Sequence, residues 1–404
     1  MSGPNWAAAK IVGVYTTEQS RDLSHRGGFS LALEALLGAL ADAGMQPGEV
    51  DGISSSVTDW PTRGVSQNMQ AAFWAGQLGR PIRWTAAGSG LVAIADAVMA
   101  IEHGLASTVA VVVGMTRQPA HGATAPWTRP NEEFTAWTGS YTAVQYALVA
   151  QRYLHEFGDD ALAAMAEAAA TIRNYGSANP GAVYAGRGPF TAQDVLASRP
   201  VASPLTLLMC AAVNDGGCAV IITSADRARD TRATPIEVLA AGNQQPYAPY
   251  YEAPVLDAVA DEGAFVRDAM RRGGVSHDDI DVVEFYDHFA IGVLMEYEMF
   301  GFCGRGEAPH LIRSGAMRID GRYPTCTDGG NLSFSHNGSP VLFRPIEAVR
   351  QLRGEVVDGC LTLPGGMHTH TEGCRAVPDP EVAFVSNPGP PTGGNAFMVL
   401  TNRT

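Results

Sequence analysis

The stretch Ser89–Gly114, SGLVAIADAVMAIEHGLASTVAVVVG, decides the fold class. Its first part, Gly90–Gly104, is apolar at helical spacing, and its second part, Thr108–Gly114, is an unbroken apolar run of strand length. Apolar strands that alternate with helices form parallel or mixed sheets whose faces are both covered. The stretch therefore predicts an α/β fold with helices on both sides of a sheet.

The alternation of strands and helices continues on both sides of this stretch. Towards the N-terminus, the pattern predicts strands at Lys10–Tyr15 and Val50–Ser54 around a helix at Leu31–Gly44, which ends on a glycine. The order strand, helix, turn, strand then returns in the second half, which indicates a weak internal duplication. The elements predicted there are the strands Ile236–Ala241, Ile280–Phe285 and Phe397–Thr401 and the helices Val255–Arg272, around Ile291–Phe300, and Ile346–Arg353.

A segment of different composition interrupts the alternation. Met115–Arg199 is rich in Trp, Tyr, Pro and Ala and contains a helical run around Tyr146–Tyr175, so we expect a mainly helical inserted domain at about 115–199. The core resumes at Pro204–Thr223, which ends in a strand. We predict an N-terminal half at 1–232, which includes the insertion, and a C-terminal half at 233–404.

The composition excludes several classes of partner. The 404 residues carry a formal net charge of −14 and are 46 % hydrophobic and 17 % charged, so the chain can bury a large core. Surfaces that bind nucleic acid or anionic membranes need a basic excess, which this chain lacks. No apolar run approaches 18 residues. We therefore expect neither a nucleic-acid partner nor a membrane span.

Among the 27 basic residues there is a single lysine, Lys10. Schiff-base chemistry and the attachment of pyridoxal phosphate both require a lysine amine. Lys10 begins the first predicted strand, far in sequence from every loop that carries candidate catalytic groups. The sequence therefore limits any lysine-dependent chemistry to the start of the first predicted strand.

The cysteines favour reduced thiols in a cytoplasmic protein, because they are sparse, form no CxxC pair and accompany no signal peptide in residues 1–20. They are Cys210, Cys218, Cys303, Cys326, Cys360 and Cys374. His368, His370 and Cys374 could ligate a metal, but three ligands on one short loop without a partner cluster do not match structural zinc spacing. We expect no metal and no cofactor in this chain.

Two loops and one turn carry candidate functional groups. Ala86–Gly90 (AAGSG) precedes a helix, where small residues let a ligand approach free N–H groups. Taken alone, the segment favours the simpler interpretation, a tight turn between a strand and a helix. Tyr286-Asp287-His288-Phe289 directly follows a predicted strand, where open α/β sheets place ligands. These side chains could hold a proton relay, or Asp287 could be the N-cap of the next helix. Gly329–Gly338 is a loop, called the histidine loop below. Its His336 lies between polar residues and is suited to proton transfer.

Taken together, these segments resemble the thiolase superfamily, and within it the sterol-carrier-protein-type and lipid-transfer-protein-type thiolases. The resemblance implies two similar βαβαβαββ halves, stacked as αβαβα layers with an inserted loop domain, in a homodimer that acts on acyl-CoA thioesters. The stretches that carry it are KIVGVY (10–15), ALADAGMQPGEVDGI (39–53), SGLVAIADAVMAIEHGLASTVAVVVG (89–114), SANP (177–180), PFTAQDVLASRPVASPLTLLMCAAVNDGGCAVIITS (189–224), EFYDHF (284–289), GGNLSFSHNG and EAVRQLRG (within 329–354).

The positions that correspond to thiolase catalytic residues differ from those of a working thiolase. The family's nucleophilic cysteine, two residues before the Ser-Gly of the first helix, is Ala87 here, so no acyl-enzyme can form there. The histidine of the His-Asp-x-Phe motif is Tyr286. The histidine of the Gly-His-Pro loop is kept as His336, but Asn337 replaces the proline.

These departures are similar to those of the thiolase-fold aldolases of bacterial steroid side-chain degradation. Those enzymes lack the cysteine, carry the tyrosine and cleave β-hydroxyacyl-CoA thioesters into a ketone or aldehyde and a shorter acyl-CoA. The resemblance implies a zinc-ribbon/OB-fold partner of the DUF35 type, which is where any zinc would be bound, often together with a MaoC-like hydratase. The steroid aldolases also use a second tyrosine near the histidine loop, which this chain lacks at 336–340.

Retro-aldol cleavage requires a base for the β-hydroxyl proton and donors for the thioester enolate, but no nucleophile. The hypothesis assigns proton transfer to Tyr286, with Asp287 or His288 setting its environment, and assigns binding of the thioester oxygen to His336 and to backbone N–H groups. The residues expected to supply or adjoin those groups are Ala87, Gly338, Gly393 and Gly394.

Two other functions stay open at this stage. A catalytically silent thiolase-like subunit would shape the site of a partner or deliver its substrate. A non-covalent acyltransferase would need another acyl carrier, because no cysteine lies at the first helix. Aromatic residues of the insertion could line a bulky substrate or pack against a partner; they are Trp127, Phe134, Trp137, Tyr141 and Tyr146.

Overall fold

The computed structural model describes the chain with gaps, and every structural statement below concerns the described residues. They are 4–59, 67–88, 90–116, 142–211, 213–244, 263–336, 342–356, 375–387 and 395–403. The strands are β1 (Ala9–Thr16), β2 (Gly52–Asp59), β3 (Trp84–Ala87), β4 (Thr108–Thr116), β5 (Pro200–Ala202), β6 (Leu205–Thr206), β7 (Gly216–Ser224), β8 (Ile236–Gln244), β9 (Val282–Glu284), β10 (Val382–Asn387) and β11 (Asn395–Thr401).

The α-helices alternate with these strands in both halves of the chain. They are α1 (Gly28–Ala43), α2 (Gln67–Leu78), α3 (Leu91–Glu102), α4 (Thr142–Phe157), α5 (Asp160–Ala178), α6 (Ala192–Ala197), α7 (Ala225–Ala228), α8 (Ala264–Arg272), α9 (Ala290–Met299), α10 (Ala308–Arg313) and α11 (Phe343–Arg353). Gly44 ends α1 in the left-handed conformation, with φ of 73°. Glycine adopts this conformation without steric cost, as the sequence pattern predicted for this position.

Two half-sheets join into one mixed sheet of nine described strands, in the order β3-β2-β4-β7-β1-β8-β11-β10-β9. Strands β2, β3 and β4 run parallel to one another, and β9 is parallel to β10. The halves meet where Lys10 and Ile11 of β1 pair with Glu237 and Ile236 of β8. Strands β5 and β6 form a separate two-stranded sheet.

Alternating side chains of the N-terminal half-sheet enter two different cores. Val109, Val111 and Val113 of β4 pack with α3 and α11. Ala110 and Val112 of the same strand pack with α1 on the opposite face. Because successive side chains of a strand point to opposite faces, both faces of this half-sheet are covered by helices.

The C-terminal half-sheet repeats this arrangement. Ala383 and Val385 of β10 join the same core as α3 and α11, so those two helices form a central layer between the half-sheets. Phe384 points the other way, into a core with α8, α9 and the inserted helices α4 and α5. The layers follow the order helix, sheet, helix, sheet, helix, which confirms the predicted αβαβα fold.

The predicted elements match the observed ones with shifts of a few residues and three corrections. The helical run at 146–175 is two helices, because Gly158 has a φ of 85° and separates α4 from α5. Strand β10 was not predicted. The helix predicted at 255–272 is observed from Ala264, and residues 245–262 lie outside the described part of the chain.

Two further observations concern the expected class of protein. In the described segments, no helix combines the length and apolarity needed to cross a bilayer. Cys210, Cys218, Cys303 and Cys326 are free thiols, while Cys360 and Cys374 are not among the described residues.

Candidate active site

Tyr286 lies two residues beyond the end of β9, on a half-buried loop. Its backbone N–H donates to Ser386 Oγ at 3.0 Å and to Glu296 Oε2 at 3.2 Å, which fixes the loop against β10 and α9. The phenol oxygen of Tyr286 is 3.4 Å from Nε2 of His336. Two groups that can exchange protons therefore face each other at the carboxyl end of a strand.

His336 is held by residues of the N-terminal half. Its backbone N–H donates to Asn214 Oδ1 at 2.7 Å. The neighbouring Ser335 hydroxyl accepts from Asn214 Nδ2 at 2.9 Å and donates to Gln19 Oε1 at 2.9 Å. Gln19 follows β1, and Asn214 precedes β7. The position of His336 is thus set by both halves of the fold, although its ring faces a tyrosine of the C-terminal half.

Asp287 supports the histidine loop rather than the helix that follows it. Its carboxylate accepts the N–H of Asn331 at 2.6 Å and the N–H of Leu332 at 3.2 Å. Helix α9 has Phe289 as its N-cap, so the alternative in which Asp287 caps that helix is wrong. Gly330 has a φ of 60°, and a Cβ there would overlap the Asp287 carboxylate. Burial raises the pKa of Asp287 to about 6, against the opposing charge of Arg344.

His288 is a neutral imidazole with both ring nitrogens hydrogen-bonded. Nδ1 lies 3.1 Å from the carbonyl oxygen of Tyr286, and Nε2 contacts the Tyr146 hydroxyl. A carbonyl can only accept, so Nδ1 carries the proton and Nε2 accepts from Tyr146. Burial, followed by the nearby His336, lowers the pKa of His288 to about 3. His288 therefore fixes the Tyr286 backbone without carrying a charge.

Glu296 is a fully buried carboxyl group on α9 that joins Tyr286 to Ser386. Its Oε2 accepts the N–H of Tyr286 and the hydroxyl of Ser386. Burial raises its pKa to about 8, with a further contribution from the nearby Asp287, and among the described residues no cation opposes the rise as Arg344 does for Asp287. Glu296 is therefore protonated at neutral pH and links the end of β9 to the end of β10.

A buried ionic network lies beneath the site. Arg344, with no exposed surface, forms a bidentate pair with Asp328 at 2.7 and 2.8 Å and reaches Glu284 at 3.1 Å. Arg375 pairs with Glu347 at 3.0 Å. Burial, together with the adjacent Asp328 and Glu347, raises the pKa of Glu284, although Arg344 opposes the rise. Asp328 also accepts the N–H at position 330 at 2.7 Å, so the network holds the start of the histidine loop.

The remaining predicted residues can be placed only in part. Ala87 is the last residue of β3, and its backbone pairs with Ser55 of β2. The hydroxyl of Ser54 donates to the carbonyl of Gly88 at 3.1 Å, which holds the following turn. Gly338, Gly393, Gly394, His368, His370, Cys374, Trp127, Phe134, Trp137 and Tyr141 lie outside the described residues. Within the described ranges, no group of three or more His, Cys, Asp or Glu side chains is arranged to hold a metal ion.

Comparison with known proteins places this geometry in a family. Residues 256–363 match the thiolase C-terminal domain-like family. The chain is 33 % identical over 367 residues to a 17-hydroxy-3-oxo-4-pregnene-20-carboxyl-CoA lyase of Mycobacterium tuberculosis, covering 87 % of this chain and 92 % of that protein. The chain belongs to the thiolase superfamily.

Within the superfamily, this chain is similar to steroid side-chain aldolases. It is 32 % identical over 379 residues to a steroid side-chain-cleaving aldolase of Thermomonospora curvata, covering 87 % of this chain and 92 % of that protein. The solved structure of an Ltp2-ChsH2(DUF35) aldolase superposes with a TM-score of 0.81 at 27 % identity, covering 98 % of this chain and 99 % of that chain. The resemblance stated from the sequence is confirmed.

Sequence reasoning missed several residues that shape this thiolase-fold site. Tyr146 was assigned only to an aromatic insertion, yet its hydroxyl contacts His288. Glu296 could have been noticed, because it and Glu298 interrupt an otherwise apolar helical run, AIGVLMEYEM. Gln19 lies in a segment without a recognisable motif, and Asn214 lies in the stretch 189–224 that carries the resemblance but had no role assigned. Both become visible only through their contacts with Ser335 and His336.

Proposed function

We propose that this chain is a carbon–carbon lyase of the thiolase fold, not a conventional thiolase. It cleaves a β-hydroxyacyl-CoA thioester with a steroid or other bulky side chain into a ketone or aldehyde and a short acyl-CoA, such as propionyl-CoA or acetyl-CoA. The relatives support this substrate class, because the two curated ones are named a pregnene-carboxyl-CoA lyase and a steroid side-chain-cleaving aldolase.

The observation that carries the proposal is the 3.4 Å contact between Tyr286 Oη and His336 Nε2. A thiolase needs a nucleophile to form an acyl-enzyme, and Ala87 stands where the family's cysteine would be. A retro-aldolase needs only a proton acceptor and a stabilised enolate. The paired phenol and imidazole meet that requirement without a covalent intermediate.

In the proposed reaction, the Tyr286 and His336 pair accepts the proton of the β-hydroxyl group. The electron pair of that O–H bond forms the new carbonyl, the Cα–Cβ bond breaks, and its electron pair passes into the thioester enolate. A proton then returns to Cα, which neutralises the enolate and releases the shorter acyl-CoA. Asp287 and His288 do not exchange these protons in the proposal, because their hydrogen bonds hold the loops around Tyr286.

The enolate oxygen requires hydrogen-bond donors aimed at it. We assign this role to His336 and to backbone N–H groups, on the resemblance to the thiolase superfamily. The backbone groups are those near Ala87, Gly338, Gly393 and Gly394.

We propose a DUF35 protein as the partner of this chain. The Ltp2-ChsH2(DUF35) aldolase structure, which this chain matches over nearly its full length, supports the assignment. A homodimer, a MaoC-like hydratase in the same assembly, zinc in the partner rather than in this chain, and a cytoplasmic location stay predictions from the sequence.

Two substitutions test the proposed function. We expect Tyr286→Phe and His336→Ala each to lower retro-aldol turnover by about 10²- to 10⁴-fold, because each removes a proton-transferring group. Product formation from a panel of β-hydroxyacyl-CoA thioesters, followed by mass spectrometry, measures the effect. Tyr15→Phe is the matched control, since Tyr15 packs against α1 on the outer face of the N-terminal half-sheet.

The binding of coenzyme A should persist in both active-site variants, which separates a loss of chemistry from a loss of substrate. Unchanged turnover in both folded variants would overturn the assignment. Thiolytic activity of the wild type with free coenzyme A would contradict it as well.

A further inference from the structure

Three arginine side chains surround the ring of Tyr184. The guanidinium carbons of Arg21, Arg173 and Arg187 lie 5.1, 5.4 and 5.2 Å from the ring centroid. Arg21 also donates a hydrogen bond to the Tyr184 hydroxyl. Arg173 is buried, whereas Arg21 and Arg187 are exposed to solvent. We call these four residues the Tyr184 cluster.

The arginines of the Tyr184 cluster carry positive charge without a direct carboxylate partner among the described residues. None of its three arginines forms an ion pair with a carboxylate among the residues that the structure describes. An aromatic ring attracts cations through its quadrupole but carries no net charge. The like charges therefore repel one another, and a bound anion would offset this repulsion. In a chain with a net charge of −14, such a concentration of unpaired positive charge requires a specific explanation.

Arg173 forms the fixed base of the Tyr184 cluster. Its Nε donates to the carbonyl oxygen of Leu208 at 2.7 Å, and Nη2 donates to that of Cys210 at 2.9 Å. Burial lowers the pKa of Arg173 to about 10, against the opposing influence of Tyr184, Cys210 and Asp287. The guanidinium is still charged at neutral pH, and only neutral carbonyl groups receive its hydrogen bonds.

The Tyr184 cluster adjoins the histidine loop through two of its members, Tyr184 and Arg21. The backbone N–H of Tyr184 donates to the carbonyl of Ser333 at 3.3 Å, three residues before His336. Arg21 follows Ser20, whose backbone pairs with Asp215, and the preceding Asn214 holds the backbone of His336. The cluster thus adjoins the segments that hold His336, and its two exposed arginines, Arg21 and Arg187, face solvent.

We propose that Arg21 and Arg187, supported by Tyr184 and Arg173, bind the phosphate groups of the coenzyme A moiety of the substrate. This inference rests on the proposed function, which supplies a CoA thioester as the ligand. Guanidinium groups bind phosphate oxygens with two parallel hydrogen bonds. The pantetheine arm separates the phosphates from the thioester, so they should bind near the reacting groups but not among them.

Equilibrium binding tests this assignment without requiring turnover. Isothermal titration of the full chain with coenzyme A and with pantetheine, which lacks phosphates, compares the wild type with Arg21→Ala and Arg187→Ala. We expect each variant to raise the Kd for coenzyme A about tenfold, equivalent to about 1.4 kcal/mol, and to leave the Kd for pantetheine unchanged. The effect should shrink as the salt concentration rises, because both side chains are exposed.

Two controls accompany this titration. Arg229→Ala removes another exposed positive charge, which is paired with Asp226 elsewhere on the chain, and it should not change the Kd for coenzyme A. Arg187→Lys retains the charge and should recover part of the lost affinity. A loss of affinity for coenzyme A and pantetheine alike would show a structural effect and would overturn the inference.

The experiment also separates this inference from the proposed function. If the wild type cleaves β-hydroxyacyl-CoA thioesters and the alanine variants bind coenzyme A as tightly as the wild type, the phosphate site is wrong and the retro-aldolase stands. If binding of coenzyme A depends on Arg21 and Arg187 but no β-hydroxyacyl-CoA is cleaved, the phosphate site stands and the proposed function is wrong.

Discussion

The histidine loop lies between two groups of arginines. Among the described residues, one group is paired with carboxylates and the other is not. On its buried side, Arg344 faces two carboxylates, and one of them, Asp328, holds the backbone of the loop. On its outer side, the Tyr184 cluster joins the same loop through the carbonyl of Ser333, and no carboxylate within the described ranges pairs with its arginines. The same residue type is thus neutralised on one side of the loop and left charged on the other.

This difference indicates what each group of arginines does. A buried charge without a counter-charge is costly, so a network such as that of Arg344 is complete in the folded chain itself. An exposed guanidinium loses little when unpaired and can form a charge-assisted hydrogen bond with a ligand. We therefore expect substitutions in the buried network to change stability, and substitutions of the two exposed arginines of the Tyr184 cluster, Arg21 and Arg187, to change ligand affinity.

The largest expected effect is that of Arg344→Met. Removal of this guanidinium leaves Glu284 and Asp328 buried beside each other without their counter-charge. The loss of one partner from a buried ion pair typically costs about 3–5 kcal/mol. We therefore expect the free energy of unfolding to fall by about that amount in urea denaturation.

Arg229→Ala is the control for this measurement, because Arg229 is exposed and its ion pair with Asp226 is on the surface. Substitutions at such positions usually change stability by less than about 0.5 kcal/mol. If Arg344→Met were no more destabilising than this control, the buried network would not be what holds the histidine loop, and the comparison would fail.

The layers of the fold could be predicted because their determinants are local. An unbroken apolar run such as Thr108–Gly114 has to be buried on both faces, and a closing glycine such as Gly44 marks the end of a helix. Strand β10 was missed because VAFVSN is short and lies between loop segments rich in Pro and Gly. The break at Gly158 was missed because the apolar periodicity resumes at once in α5.

The candidate site was predictable only at its centre. Tyr286 and His336 follow a strand and a glycine pair, respectively, and both carry the resemblance to thiolases. Their supports come from distant parts of the chain: Tyr146 is 142 residues from His288, and Asn214 is 122 residues from His336. No local pattern encodes such contacts, because they arise when the inserted helices and the two halves pack together.

An effect of a different kind, set by the pH, is expected for Glu296→Gln. Glu296 is buried without an arginine partner among the described residues, and burial raises its pKa from 4.5 to about 8. A raised pKa means that the folded state retains the proton, so the contribution of Glu296 to stability is complete below pH 4.5 and is lost as the pH rises through about 8. The wild type should therefore lose stability over this range, by at most about 1.4 kcal/mol per pH unit from this group.

Glutamine carries no titrating proton, and its amide oxygen can accept the same hydrogen bonds from Tyr286 and Ser386. The free energy of unfolding of Glu296→Gln, measured from pH 5 to pH 9, should rise relative to that of the wild type as the pH increases. The exposed Glu18→Gln is the control. A constant difference across this range would mean that Glu296 is not the proton-holding link between β9 and β10.

The smallest expected effect concerns the single lysine. Lys10 pairs with Glu237 where the two half-sheets meet, and both side chains are about one-fifth exposed. Ion pairs of this kind contribute about 0.2–1 kcal/mol, far less than the buried pairs of Arg344. Because Lys10 lies at the start of β1 and Gln19 follows its end, about 20 Å of strand separates the lysine from the contacts of the histidine loop. Lys10→Met should therefore lower the free energy of unfolding by no more than about 1 kcal/mol and leave retro-aldol turnover unchanged. A more than tenfold loss of turnover, or a borohydride-stable adduct on Lys10, would show that the amine takes part in the chemistry.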